Sequence, residues 1–438
     1  MDSGCEKTKC GYDAVTTAAF PAKNRVPCGK FHLKESVEVD GHTLSQADIL
    51  RSMIEYAVNF ANQSLRQKNL PPCRDISVTY PALYRQDEIN RFIGICESAV
   101  AEDGKPVKVV ASLPEPAAAA LAFLESEKCE QPTTVLTLDI GAGTTDIALL
   151  STYPAGKTRP DGSRYLYELH AVSEGIPVAG NKFDDVLSDV ISSALPEPPV
   201  AIQRQMIKSD CEAYKKELST QTFCRPMIPD SSGNWIETEI SREAFEKASA
   251  DLLSEIVLLV KSALSLEETK RHSIDIFLLT GGSAQMPMIS DAIRRNFPAF
   301  AGKLRVFNPL KSVAIGAAVF ARKKHQICRR TSRSVALLCR DDDGDRYVDI
   351  IPVGTELPSQ SDPIPLTVTE TGHDTFFSVC EGHEDHYQEI IHAMMETSQY
   401  PTGTELEATF SINGQGVLQF QATREKEKIT AEHKLKLL

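Results

Sequence analysis

The chain has 438 residues, 42% hydrophobic and 24% charged, an ordinary globular mix that excludes wholesale disorder. At roughly 150 residues per domain, the length accommodates two or three domains. Lys+Arg number 47 against Asp+Glu 60, and the net charge of −13 argues against non-specific binding of nucleic acid or anionic lipid over the whole surface, because phosphate attraction needs a basic face; it leaves room for a local basic patch.

Residues 1–34 show no period and read as an irregular segment. Ser45 followed by Asp48 resembles a capping box, and Ile49, Leu50, Met53, Ile54, Ala57, Val58, Ala61 and Leu65 keep one helical face until Pro71-Pro72. A strand is expected over 75–80, a helix over 86–101, a short strand over 107–111 and an alanine-rich helix over 117–124. The stretch 134–150, T-V-L-T-L-D-I-G-A-G-T-T-D-I-A-L-L, joins two apolar runs through a Gly-rich turn and predicts a β-hairpin. Long helices follow over 203–218 and 241–266, then a buried strand over 274–280, a Gly281-Gly282-Ser283 turn, a helix from about Pro287 and another over 311–323. Residues 322–333 are strongly basic and read as a solvated linker. Beyond them come short β runs with turn signals such as Asp343-Gly344 and Asn413-Gly414, with a helical insertion near 385–397 and a charged tail over 425–438.

The eleven cysteines form no C-x-x-C pair, so neither a zinc spacing nor a disulfide scaffold is indicated. No apolar run follows Lys7 and Lys9 as a secretory signal would, and no stretch of about 18 apolar residues occurs. A cytoplasmic, membrane-free protein is expected.

The chemistry concentrates in two Gly-rich turns. In the hairpin turn, Gly141, Ala142 and Gly143 are small enough for backbone N–H groups to approach phosphate oxygens, and Thr144 and Thr145 add hydroxyls. Asp139, at the end of a buried strand, suits Mg²⁺ directly or through water. The alternative is an ordinary hairpin turn. Gly281, Gly282 and Ser283 open a helix and would let a nucleotide lie against the backbone, or form only a tight strand–helix turn. Glu115 precedes the alanine-rich helix, as a metal-water contact or a surface acid. The segment 211–219 reads as a charged helix with a solvated face. His373, Cys380, His383, His386 and His392 invite a zinc reading but lack a matching half-site, so surface histidines are the better expectation.

In order and spacing these pieces resemble the DnaK-type heat-shock chaperones of the actin-like ATPase superfamily. V-T-Y-P-A-L-Y at 78–84 is similar to that family's strand–proline turn, and L-P-E-P-A-A-A-A-L-A-F at 113–123 to its first connecting helix. L-D-I-G-A-G-T-T-D at 138–146 resembles its second phosphate loop, and V-A-G-N-K-F-D at 178–184 its G-G-x-x-F-D turn, with Gly180 retained. C-E-A-Y-K-K-E-L-S at 211–219 resembles the adenosine helix, L-L-T-G-G-S-A-Q-M-P at 278–287 the adenosine motif, and V-A-I-G-A-A-V at 313–319 the second connecting helix. I-I-P-V-G-T-E-L-P at 350–358 and T-F-S-I-N-G-Q-G-V-L-Q-F at 409–420 are similar to the start and end of its peptide-binding β-sandwich.

The resemblance implies an α/β, two-lobed actin-like (ribonuclease-H-like) ATPase domain over 35–321, incomplete at its N-terminus. A basic linker over 322–333 and a reduced β-sandwich over 334–424 follow. It implies ATP or ADP with Mg²⁺ as cofactors, and unfolded or extended peptides and co-chaperones as partners. Asp139, Gly141, Ala142, Gly143, Thr144 and Thr145 would face phosphates and metal, with Mg²⁺ held by Asp139 through water. Glu115 would join the metal-water shell, with Asp139 and Thr144 completing the catalytic set. Gly180, Glu212, Lys215, Lys216 and Ser219 would meet adenosine, with Gly281, Gly282, Ser283 and Gln285 opposite. Pro81 would be a switch between nucleotide and interdomain surface.

The sequence also departs from the family pattern. No Asp-x-Gly-Thr-Thr phosphate hairpin occurs before residue 45, and the helical lid is expected to be missing. Ala142 replaces a glycine, Thr145 an aromatic, Gln285 an arginine, Ile89 an interdomain arginine and Leu310 an acid. Weak hydrolysis, or a non-catalytic nucleotide-sensing or partner-binding scaffold on the same fold, is the expectation that follows. A sugar- or acid-kinase relative is the third reading, against which the β-rich C-terminal part argues.

Overall fold

A computed structural model describes residues 35–39, 42–154, 166–173, 175–230, 234–307, 310–323, 327–341, 344–383, 386–414, 416–425 and 427–435. The irregular segment expected over 1–34 lies outside the described residues, as does Asp343 of the Asp343-Gly344 turn. The fold is mixed α/β.

Helix Gln46–Gln67 opens the first unit. Its Ser45 cap accepts from the Asp48 amide at 3.0 Å, which satisfies one of the helix's free N–H groups. With helix Gln86–Glu97 it packs on a parallel pair of strands, Asp75–Tyr80 and Lys108–Pro114, around Leu50, Val78, Tyr80, Tyr84, Phe92 and Cys96. Ile89, where the resemblance would put an arginine, is buried in this small core.

The centre is a six-stranded mixed sheet in the order Leu304–Val306, Ile276–Thr280, Thr133–Ile140, Thr145–Thr152, Tyr167–Val172 and Ile327–Cys328. Thr133–Ile140 and Thr145–Thr152 form the expected hairpin, antiparallel from Thr133↔Thr152 to Ile140↔Thr145. Successive side chains point to opposite faces, so Leu136, Leu138, Ile140, Ile147 and Leu149 join one core while Val135, Ala148 and Leu150 join another. A strand covered on both faces carries a near-continuous apolar run, which is what 134–140 has.

The first of these cores lies under helices Gly180–Ala194, Ala201–Thr220, Ala250–Ser265 and Pro287–Asn296. The second lies under the alanine-rich helix Glu115–Glu127 and helix Ser312–Lys323. These two helices cross so closely that a Cβ on Gly316 would collide with the Ala118 carbonyl, which is why small residues line both.

Beyond residue 333, two antiparallel sheets share one core. One runs Gly344–Ile351, Ser334–Asp341, Thr375–His383, His386–Met395. The other centres on Glu405–Ile412, Val417–Arg424 and Glu427–Lys434. Val335, Leu337, Phe377 and Val379 meet Phe410, Leu418, Phe420 and Ala422 between them.

Three expectations are corrected. The helical insertion near 385–397 is instead the strand His386–Met395, paired with Thr375–His383 through the described ladder. Its Ile390-Ile391 and Met394-Met395 doublets mimic helical spacing; Ile391 and Met395 are buried in the shared core, and Ile390, at the bulge opposite Val379 and Cys380, packs against it as well. The charged tail is the strand Glu427–Lys434, antiparallel to Val417–Arg424. Among its described residues the basic linker is not a solvated run: Ile327–Cys328 adds a parallel edge strand beside Tyr167–Glu168, and Arg330 donates to the Glu168 carboxylate at 2.7 Å. No described helix is long and apolar enough to cross a membrane.

Candidate functional site

The hairpin turn Gly141–Thr144 is closed by the Gly141 amide donating to the Thr144 carbonyl at 3.0 Å. Its carbonyls are tied to the surrounding elements. The Gly180 amide and the Ser283 hydroxyl donate to the Gly141 carbonyl at 3.1 and 2.9 Å, and the Asn181 amide donates to the Ala142 carbonyl at 2.7 Å. The turn is therefore held from behind by the N-terminus of helix Gly180–Ala194 and by the Gly282–Gln285 turn. Among the described residues, the amides of Ala142, Gly143 and Thr144 donate to no acceptor. Successive open N–H groups of this kind form an anion-binding nest.

Buried carboxylates sit directly beneath the turn. Asp139 and Asp146 occupy opposing positions on the two hairpin strands, and both are buried. Asp146 accepts from the Thr144 hydroxyl at 2.7 Å and from the Ala82 amide at 3.1 Å. Two carboxylates this close repel unless a cation or donors compensate. The oxygen donor set of Asp139, Asp146 and Thr144 matches the preference of Mg²⁺, which binds few protein oxygens and keeps waters and phosphates. Among the described residues, no cluster of three or more His, Cys, Asp and Glu side chains forms a direct metal cage, at this turn or around the C-terminal histidines.

Glycines line the mouth. Gly281 has φ +84°, a left-handed conformation, and a Cβ there would approach Asp139 Oδ1 to 2.5 Å and collide with the Ile140 carbonyl. A Cβ on Gly180 would approach the Ser283 hydroxyl to 2.6 Å. Gly282 faces open space, and exposed Gln285 donates to its carbonyl at 3.2 Å. These small residues keep the rim low enough for a ligand to lie against the backbone.

The remaining expected residues spread around this core. Glu115 sits half-buried at the first position of helix Glu115–Glu127, after Pro114. On helix Ala201–Thr220, Lys215 is buried, donating to the Gly180 carbonyl at 2.9 Å and pairing with Asp184 at 2.7 Å. Burial pushes the Asp184 carboxyl above its usual range despite that ammonium. Glu212 and Lys216 form an exposed pair at 2.6 Å, and the Lys216 hydrogen bond holds Glu212 below the usual carboxylate range. Ser219 donates to the Lys215 carbonyl at 2.9 Å. Thr145 is wholly buried, and its hydroxyl donates to the Val178 carbonyl at 2.5 Å, on the far side from the turn.

Pro81 opens the turn that carries the Ala82 amide to Asp146, with Tyr84 N–H donating to the Pro81 carbonyl at 3.1 Å. The first unit thus reaches the hairpin strand that carries Asp146 through the Ala82 amide. Asp146 was not singled out from sequence. Its signal was a charge inside an otherwise apolar strand run, at the position that hairpin register sets opposite Asp139.

The family described as Hsp70 protein matches residues 30–437, nearly the whole chain. The match takes in the two C-terminal sheets as well as the nest, and the chain belongs to the Hsp70 family, whose general character is that of ATP-binding chaperones.

Proposed function

We propose that this chain binds ATP or ADP with Mg²⁺ in a two-lobed actin-like domain and holds extended peptide segments on a reduced C-terminal β-sandwich. The observation that carries the reading is the nest of open Ala142, Gly143 and Thr144 amides over buried Asp139 and Asp146. The nest would cradle phosphate oxygens, and Asp139 and Asp146 would hold the metal through its waters. Mg²⁺, when bound, supplies charge neutralisation on the phosphates. Glu212, Lys215, Lys216 and Ser219 would border the adenosine across from Gly281, Gly282, Ser283 and Gln285. Glu115 would orient a water at the metal from its helix N-terminus.

Phosphoryl transfer rests on positioning and charge neutralisation from both sides of the transferred group. The Gly141–Thr144 turn would supply one side of that clamp. Weak hydrolysis is the corresponding expectation. The competing reading, a nucleotide sensor or partner scaffold without turnover, draws support from Lys215, whose ammonium is already engaged by Asp184 and Gly180.

A cleft of about 680 Å³ on the C-terminal sheets supports the peptide role. Leu337, Leu366, Val368, Phe376 and Phe377 give it apolar walls, with Asp345, Glu370 and Asp374 also lining it. An extended segment would add backbone hydrogen bonds and place alternate side chains in such walls. A cytoplasmic location and co-chaperone partners belong to the same proposal.

Calorimetry with ATP and with ADP at millimolar Mg²⁺ tests the nucleotide half. Binding by the wild type, weakened at least about tenfold by Asp139→Ala and by Gly143→Val, is expected. Absence of both heat and thermal shift in the wild type would overturn it. Steady turnover abolished by Glu115→Gln would remove the scaffold reading. For the peptide half, Phe376→Ala should weaken binding of a fluorescent apolar-core peptide severalfold.

A further inference from the structure

A cavity of about 560 Å³ lies away from the phosphate nest. Its walls come from helix Gln86–Glu97 and strand Lys108–Pro114 of the first unit, from helix Ser312–Lys323 and the basic segment after it, and from the C-terminal sheets. Ile93, Val109, Ala111, Phe320, Ile327 and Leu357 make it largely apolar. Asn90 and Ser112 add neutral polar groups, and Arg329 and Lys434 add two cations. Among the described residues no Asp or Glu lines it, although acids outnumber bases by 13 over the whole chain.

Arg329 is the unusual member. It follows the edge strand Ile327–Cys328, and its carbonyl accepts from the Leu357 amide at 2.9 Å, which anchors it to the C-terminal sheets. Its guanidinium lies 5.7 Å from the Phe320 ring centroid. Among the described residues no carboxylate pairs with it, whereas neighbouring Arg330 holds Glu168 at 2.7 Å. Burial holds Arg329 below its ordinary value, and burial together with Arg329 pushes Lys434 down to about 8. An enclosed cation without a counter-charge costs the fold several kcal/mol. A planar guanidinium presents paired donors that match a carboxylate or phosphate. The volume falls within the roughly 300–1,000 Å³ of small-molecule sites, which are mostly apolar with a few placed polar groups.

We propose that this cavity binds a small organic anion with one carboxylate or phosphate head and an apolar body. The head sits on Arg329 with Lys434 beside it, and the body lies against Phe320, Ile327 and Leu357. Because its walls belong to three parts of the chain, an occupant would tie the first unit, the basic segment and the C-terminal sheets together. The site shares no residue with the phosphate nest or the peptide cleft, so it stands or falls independently of them.

Calorimetry of the full chain with decanoate, below its micellar concentration, and with uncharged methyl decanoate tests it. One decanoate per chain is expected, with the methyl ester at least about tenfold weaker. Decyl phosphate compared with decanoate then distinguishes the two heads. Arg329→Met should weaken decanoate at least about tenfold, Arg329→Lys should retain most of the affinity, and ATP binding should be unchanged in both. Without ligand, Arg329→Met should melt above the wild type, since it removes an uncompensated charge, and decanoate should no longer raise its Tm. Equal affinity for acid and ester, unchanged affinity in Arg329→Met, or loss of decanoate binding in Phe376→Ala would each overturn the proposal.

Discussion

Gly281 and Gly282 are neighbours with opposite tolerances. Gly281 has a positive φ and no room for a Cβ beside Ile140 and Asp139, whereas Gly282 has open space. Gly281→Ala is therefore expected to cost about 2–3 kcal/mol and to disturb the Asp139 carboxylate. Gly282→Ala should stay within about 0.5 kcal/mol, because it adds only an exposed methyl. Urea denaturation of the two variants, with ATP binding measured on each, checks this. A similar split separates Thr144 from Thr145. Sequence presents two adjacent hydroxyls, but strand geometry turns them to opposite faces. Thr144 reaches Asp146 within the turn, and Thr145 reaches Val178 behind it. Motif spacing located the turn; which hydroxyl faces it depends on where the strand begins, one residue after Thr144.

Elements set by local pattern were legible. The Ser45 cap, the hairpin at 133–152 and the Pro-started helix at 287 all carry their signals within a few residues. The basic segment was not, because its partners come from far along the chain. Glu125 meets Lys323 at 2.7 Å and Arg322 at 3.2 Å, and Glu168 meets Arg330, so charges that look solvated are paired across the fold. Burial alone would raise the Glu125 carboxyl, but the hydrogen bonds from Lys323 and Tyr167 and the two nearby cations win, and its pKa is lowered. A depressed folded-state pKa gives stability that is present above the unfolded value of about 4.5 and lost as pH falls through the folded value. Glu125→Gln should cost about 1 kcal/mol at pH 7, with the difference from wild type shrinking as melts are taken from pH 5 to pH 3. A Tm difference independent of pH would show that packing, not charge, holds this corner.

At the scale of the molecule, the basic segment joins the central sheet to the C-terminal sheets. Arg330 bonds the buried Glu168 on one side and the Gly354 carbonyl at 2.8 Å on the other. Removing it leaves a buried carboxylate short of its cation, a loss of about 2–4 kcal/mol. Arg330→Ala is expected to release the edge strand, so that trypsin cuts within 322–333 severalfold faster than in the wild type; an unchanged cleavage rate would mean that Ile327 and Cys328 hold the segment unaided. The last strand, Glu427–Lys434, has a different consequence. It covers the open side of Val417–Arg424, whose Leu418, Phe420 and Ala422 belong to the shared core. Its own sequence, E-K-I-T-A-E-H-K, sets charged groups along the outermost rim. A bare rim of unpaired N–H and C=O groups invites another chain to pair with it, and charges there discourage such pairing. Cutting the chain after Arg424 would transfer that role to a strand never patterned for it. Light scattering of such a truncation should show self-association at concentrations where the full chain stays dispersed; equal scattering would mean that these eight residues do not shield the protein from its own copies.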